Sequence, residues 1–295
     1  MTDDPRLGDW LRGSALAEDT RVAILGFPSD EGVRRNSGRP GAAEGPAAIR
    51  EALFKMTPDA RDPEPFIALL ERAADLGDVP ITGTVEADQA RLGERVGELL
   101  AAGVVPIVLG GGHETAFGHF LGYVAAGQRV RALNWDAHAD VRPLTDGKAH
   151  SGSPFRQMLD HPSGLCTGYT VAGLLPWRVA AAHAAVPDRV VWASDLDTAR
   201  AEVEVAALDG PTLASFDLDA VDAAPGVSAP GVGGLPVSVW LAAAEACGRS
   251  PHVRSVDVVE LNPLHDADGR TATLAALTVW HVLRGLAERF SGAGG

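Results

Sequence analysis

Short apolar runs alternate with amphipathic stretches along almost the whole chain, and that alternation predicts its elements. The runs at 21–26, 104–109 and 131–135 are aliphatic or aromatic with few charges, as in strands covered on both faces of a parallel sheet. Similar runs predict strands at 73–76, 169–173, 189–193, 211–217 and 253–261. Over 86–102, Leu92, Val96, Leu99 and Leu100 stand at i, i+4, i+7 and i+8, the stripe of an amphipathic helix. Pro46 suits the first turn of a helix over 46–53, and further helices are expected over 115–126, 176–185, 236–247 and 271–290. The Gly- and Pro-rich segment 27–45 and the Pro-punctuated 57–70 read as loops, and 1–20 as a weakly structured N-terminal extension. Strands alternating with helices predict an α/β fold with a mostly parallel sheet. No linker divides the chain, so 1–295 is expected to form one domain.

Composition narrows the partners. With 295 residues, 46% of them hydrophobic, the chain can bury a large core. Its formal net charge of -14 argues against nucleic acid, whose phosphates need a basic surface. Cys166 and Cys247 form neither a CxxC nor a disulfide framework, which points to a reducing cytoplasm. The acidic N-terminus has no signal-peptide pattern, and no apolar run approaches the ~20 residues that span a bilayer. A cytoplasmic protein with a small-molecule partner is expected.

In open parallel sheets, ligands bind beyond the carboxyl ends of the strands, and four predicted strand ends carry the polar residues that stand out. Asp136, His138 and Asp140 follow the run ending at Trp135, at i, i+2 and i+4. In an extended chain these share one face, and two carboxylates beside an imidazole repel and desolvate each other unless a cation lies between them. His113 follows the strand ending at Leu109, Asp217 and Asp219 end another, and Glu260 ends a fourth. Oxygen and nitrogen donors without thiolate favour Mn²⁺ over structural Zn²⁺, and so many carboxylates suit a pair of ions that activates water at neutral pH.

Other polar residues have plainer readings. Asp195, Asp197 and Asp222 read as turn or N-cap residues. His119, His161, His183, His252, His265 and His281 read as surface or core histidines, and Asp257 as a buried partner of an arginine. A dinucleotide-binding reading of the glycine loop at 110–112 lacks the GxGxxG pattern.

In combination, GGGHE (110–114), NWDAHAD (134–140), SFDLDAVD (215–222), APGVSAPGVGGL (224–235) and DVVELNP (257–263) resemble the signature blocks of the ureohydrolase family. That family comprises arginases, agmatinases and formimidoylglutamases, and the resemblance covers about 21–290. It implies a three-layer α/β/α fold around an eight-stranded, mostly parallel sheet. It also implies two Mn²⁺ per subunit, one held by His113, Asp136, Asp140 and Asp217, the other by Asp136, His138, Asp217 and Asp219. By the same resemblance Glu260 pairs with the substrate's cationic amidine or guanidine, Asp140 passes a proton to the departing amine, and a trimer or hexamer is the expected assembly.

Within the family, DEGVRRNSGRPGAAEGPAAIR (30–50), HSGSPF (150–155) and the segment 253–277 are most similar to the formimidoylglutamase branch. Arginases and agmatinases place a proton-shuttling histidine directly before Gly in an HG[TM]P-type motif. Here Ser151 precedes Gly152 and His150 comes one position earlier, a shift that reverses side-chain facing in an extended segment. His150 therefore stands as a candidate catalytic residue without inheriting that role. N-formimidoyl-L-glutamate carries a cationic amidine at one end and two carboxylates at the other. Arg34, Arg35, Asn36 and Arg39, with Arg142 in reserve, form a local positive patch suited to those carboxylates. The expected reaction is hydrolysis of N-formimidoyl-L-glutamate to L-glutamate and formamide in histidine degradation. The alternatives are a guanidino substrate such as agmatine or arginine, releasing urea, and a non-catalytic protein that keeps the fold.

Overall fold

The computed structural model describes residues 4–292. Eight strands form one sheet: β1 (Val22–Phe27), β2 (Ala73–Asp78), β3 (Val105–Gly110), β4 (Val130–Trp135), β5 (Cys166–Leu174), β6 (Arg189–Trp192), β7 (Thr212–Asp217) and β8 (Val253–Val259). Their order is β2-β1-β3-β8-β7-β4-β5-β6, and every neighbouring pair is parallel.

Both faces of the sheet are covered, which is why the strands read as continuous apolar runs rather than alternating ones. Val22 and Ile24 point into a core shared with the helices Gly45–Leu53, Pro63–Leu70, Val237–Arg249 and Arg270–Gly292. Ala23, Leu25 and Phe27 point into a second core with Val85–Ala101 and Thr115–Ala125. The result is the three-layer α/β/α architecture that the resemblance implied. Trp135 and Phe216, register partners in β4 and β7, stack with ring centroids 6.2 Å apart, and Trp240 meets Phe216 edge-on at 5.1 Å. These buried rings fix the backbone directly before Asp136 and Asp217.

Several local expectations are corrected. Residues 1–20 are not a loose extension throughout: Leu7 and Leu11, in and beside a short helix Gly8–Leu11, are fully buried in the first core. Met1, Thr2 and Asp3 lie outside the described residues. The segment 57–70 contains the helix Pro63–Leu70, because its prolines sit in the first turn, where no helical N–H bond is lost. The segment 27–45 contains the helix Glu31–Arg35. The helix expected over 176–185 shrinks to Ala181–Ala184, since Leu175 N–H is drawn to Ala137 O and Arg178 N–H closes a turn on Leu175 O. The helices Pro154–Leu159 and Thr198–Ala206 are additions, the latter N-capped by Asp197, which accepts from Arg200 N–H at 2.7 Å. No helix among the described residues is long and apolar enough to cross a membrane.

Candidate metal centre and its cavity

The strands β3, β8, β7 and β4 are consecutive in the sheet, so the four marked strand ends lie side by side at its middle. His113, Glu260, Asp217 and Asp136 thus converge although 147 positions separate the first pair in sequence. The glycine loop after β3 is needed for this closeness. A Cβ on Gly111 would lie 2.0 Å from the Ser29 carbonyl oxygen.

Two tight turns of the same kind shape the acidic ends. Asp136 Oδ1 accepts the His138 N–H at 2.6 Å, and Asp217 Oδ1 accepts the Asp219 N–H at 2.9 Å, each an Asx turn across two residues. Each aspartate thereby spends one oxygen on its own loop and turns Oδ2 toward His113. Here the expected period-two face is corrected: β4 stops at Trp135, and the chain bends, so the triplet does not share one strand face. Asp140 reaches the centre through a backbone in the left-handed region, with φ +46°, and Glu260 through φ +71°. Such conformations cost about 1 kcal/mol or more in a non-glycine residue and gather at functional sites.

His113 Nδ1 lies 2.9 Å from Asp140 Oδ2, 3.0 Å from Asp217 Oδ2 and 3.4 Å from Asp136 Oδ2. It makes no hydrogen bond to any of them. That is the geometry of donors sharing a centre rather than of an N–H aimed at one acceptor. A second group gathers Asp136, His138 and Asp219, with His138 Nδ1 at 3.0 Å from Asp219 Oδ2. Asp136 belongs to both groups, whereas Asp217 falls in the first only. Asp219 Oδ1 and Glu260 Oε2 are also buried without hydrogen-bond partners among the described residues. The donor set is able to hold a pair of divalent cations.

The electrostatics agree. Burial opposes a charge on His113, but Asp136, Asp140 and Asp217 outweigh it and hold its pKa well above the ordinary value. His138, despite burial, is pushed up to about 12 by Asp219 and Asp136. Burial and the charges of Asp219 and Asp136 drive Asp217 well upward, and burial with Asp136 raises Asp219 against the pull of His138. Asp136 alone is lowered, because His113 and His138 overcome its burial. The cluster's own carboxylates and imidazoles thus pull one another's pKa values in opposite directions. A divalent cation would satisfy both, since it binds carboxylates and neutral imidazoles.

A cavity of about 310 Å³ opens over the centre. His138, Asp140, Asp217, Asp219 and Glu260 line it on the acidic side, and Asn36, Arg39, Arg142, Ser151 and Arg178 supply its polar and basic lining. Asn36 links two of these, donating to Ser151 Oγ at 3.1 Å and accepting from Arg142 Nη1 at 3.2 Å. Arg34 and Arg35 do not line the cavity. Arg34 pairs with Asp30, and Arg35 with Glu31 and Glu86. His150 is also turned away: its Nε2 faces Pro143 O at 3.1 Å and its Nδ1 accepts from Gly152 N–H at 3.2 Å, so both ring nitrogens are engaged.

The arginase family model matches residues 20–284. The chain belongs to the arginase family. It is 38% identical to a formimidoylglutamase of Geobacillus thermodenitrificans over 90% of this chain and 84% of that one. It is 39% identical to a formimidoylglutamase of Rhodococcus opacus over 90% of this chain and 86% of that one. Among solved structures it resembles a Trypanosoma cruzi formiminoglutamase with Mn2+2, at 33% identity and a TM-score of 0.86, covering 97% of this chain and 100% of that one.

In this arginase-family cavity one basic residue escaped the motif reading. Arg178 follows β5, the neighbour of β4, and its guanidinium donates to Ala229 O at 2.8 Å while Nη1 stays buried without a partner. The signal available was its place just past a strand end. A helix expected from Pro176 onward concealed it.

Proposed function

We propose that this arginase-family chain is a formimidoylglutamase, hydrolysing N-formimidoyl-L-glutamate to L-glutamate and formamide with two Mn²⁺. The observation that carries the substrate is the cavity's charge arrangement. Arg39, Arg142 and Arg178 line it, and none of the three has a carboxylate partner among the described residues, whereas Arg34 and Arg35 beside them do. Arg39 donates to the Pro225 and Val227 carbonyls, with its Nε buried and unpartnered. Guanidinium groups left with spare N–H donors next to an acidic centre suit a ligand with a cationic head and an anionic tail.

His113, Asp136, Asp140 and Asp217 would hold one ion and Asp136, His138 and Asp219 the other, with Asp136 between them. When bound, the ions supply Lewis-acid charge and lower the pKa of water to the neutral range. Glu260 keeps Oε1 on the His113 N–H at 2.7 Å and offers Oε2 to the amidinium, a charge-assisted pair that orients the reacting carbon. Asp140, at the cavity wall, carries the proton to the departing glutamate nitrogen as the formimidoyl C–N bond breaks. Arg39, Arg178 and Arg142, the last braced by Asn36, grip the two carboxylates. The reaction is assigned to histidine degradation in the cytoplasm, in one catalytic domain assembled as a homo-oligomer.

Purified, Mn²⁺-loaded protein given N-formimidoyl-L-glutamate, arginine and agmatine in parallel tests the reading. Glutamate and formamide from the first alone, abolished by a chelator, is the expected outcome. Urea from either of the others would transfer the site to a guanidino substrate, and no product from any would overturn the substrate assignment.

A further inference from the structure

Behind the metal centre lies a buried polar chain that the mechanism above leaves unused. His113 Nε2 is 2.9 Å from Ser215 Oγ, Ser215 Oγ donates to Asp257 Oδ1, and Asp257 Oδ2 is 2.7 Å from His119 Nδ1. All four residues are at most 1% exposed. They come from the loop after β3, from β7, from β8 and from the helix Thr115–Ala125. Asp257 is therefore no partner of an arginine, and His119 is no ordinary core histidine. Ala116, Phe120 and Tyr123 of the same helix pack into the apolar core, so a histidine held by a carboxylate departs from the pattern of that face.

Donor counting fixes the state of each link. A serine hydroxyl has one proton, and this one goes to Asp257, so Ser215 must accept from His113. Nε2 of His113 then carries a hydrogen, so Nδ1, among the three carboxylates, is the nitrogen that a cation would take in place of a proton. That is the tautomer a cation requires. Asp257 has its second oxygen on His119 Nδ1, while His119 Nε2 has no partner among the described residues. Remove His119, and Asp257 keeps one donor in a dry interior and is free to rotate away from Ser215.

We propose that His119, acting through Asp257 and Ser215, is a positioning residue that sets the tautomer and ring orientation of His113 and so tunes the affinity of the ion that His113 holds. This rests on the metal-centre reading given above. The test is calorimetric titration of the metal-free, full-length chain with Mn²⁺, for the wild type, His119→Leu and His119→Asn, alongside the melting temperature of each metal-free protein. His119→Leu should weaken one of the two ions by about 10- to 100-fold, the usual effect of losing a partner behind a ligand, and leave the other unchanged. His119→Asn, which can still donate an N–H to Asp257, should recover most of that loss. A merely structural role would lower both melting temperatures without changing the ratio of the two affinities. Wild-type affinities in His119→Leu, or no recovery in His119→Asn, would overturn the proposal. If His119→Leu does not fold, Ser215→Ala carries the same expectation. Failure of the wild type to bind Mn²⁺ would instead overturn the metal reading itself, and this proposal with it.

Discussion

At the centre of the sheet, four adjacent strands end in His113, Glu260, Asp217 and Asp136, and their positions follow from strand register. At the rim, Asn36, Arg39, Arg142 and Arg178 arrive on three separate loop segments, held by one or two hydrogen bonds each, to one another, to Ser151 or to carbonyls. The floor is buried and crowded with like charges; the rim is partly exposed and spends its cations on no carboxylate among the described residues. On the function proposed above, metal and chemistry belong to the floor and substrate choice to the rim. Each substitution should therefore disturb one and spare the other.

The largest effect is expected at the floor. Asp217→Asn keeps an oxygen for the Asp219 N–H but removes a charge that burial, Asp219 and Asp136 all oppose. Mn²⁺ content and product formation should fall by about 100-fold or more, while the metal-free protein melts at the same temperature as the wild type or higher. Metal analysis and scanning calorimetry check both halves, and a metal-free variant less stable than the wild type would break the claim that the floor is crowded with like charges.

The next effect is on pH dependence. Burial raises Glu260 to about 7, and burial with the nearby Glu260 charge raises Glu114 to about 8. Both values lie above the ~4.3 of an unfolded glutamate. Over that interval the folded chain holds protons that the unfolded chain has released, so stability falls as pH rises. The raised His113 and His138 act in the same direction at higher pH. Metal-free protein should lose melting temperature between about pH 5 and 8, and Mn²⁺ should raise it more at the upper end. A metal-free stability that increases across this range would contradict the reading.

The smallest effect is expected at the rim. Asn36→Ala removes one brace shared by Arg142 and Ser151 and should raise KM by about 2- to 10-fold, the worth of a single hydrogen bond, with kcat retained. A fall in kcat or in Mn²⁺ content would place Asn36 with the floor instead.

The same contrast explains what was legible in the sequence. Strand ends write their chemistry locally: the spacing of Asp136 and His138, or of Asp217 and Asp219, becomes a turn in which one side chain caps the next residue but one. The inner strands were readable because each is buried on both faces, and the edge strands β2 and β6, only partly covered, from their short apolar runs. Rim residues depend on loops closing over long separations, as when Asn36 meets Ser151, and no local pattern encodes that. Arg34 and Arg35 looked equivalent to Arg39 in a basic patch, yet the short helix Glu31–Arg35 sets them four residues from Asp30 and Glu31, where they pair at home. That spacing was visible, but only a helix gives it meaning. Asp257 announced its burial by alternation, while its partner His119 lies 138 positions away.

The division of labour is tested most directly at Arg178. We would measure kcat/KM for N-formimidoyl-L-glutamate and for an alkyl formamidine without carboxylates, in the wild type and in Arg178→Met. The preference for the glutamyl substrate should shrink by about 10- to 100-fold, the worth of hydrogen bonds to a charged group. Mn²⁺ content and the rate on the plain formamidine should stay at wild-type levels. An unchanged preference, or a variant that loses its metal, would contradict the account.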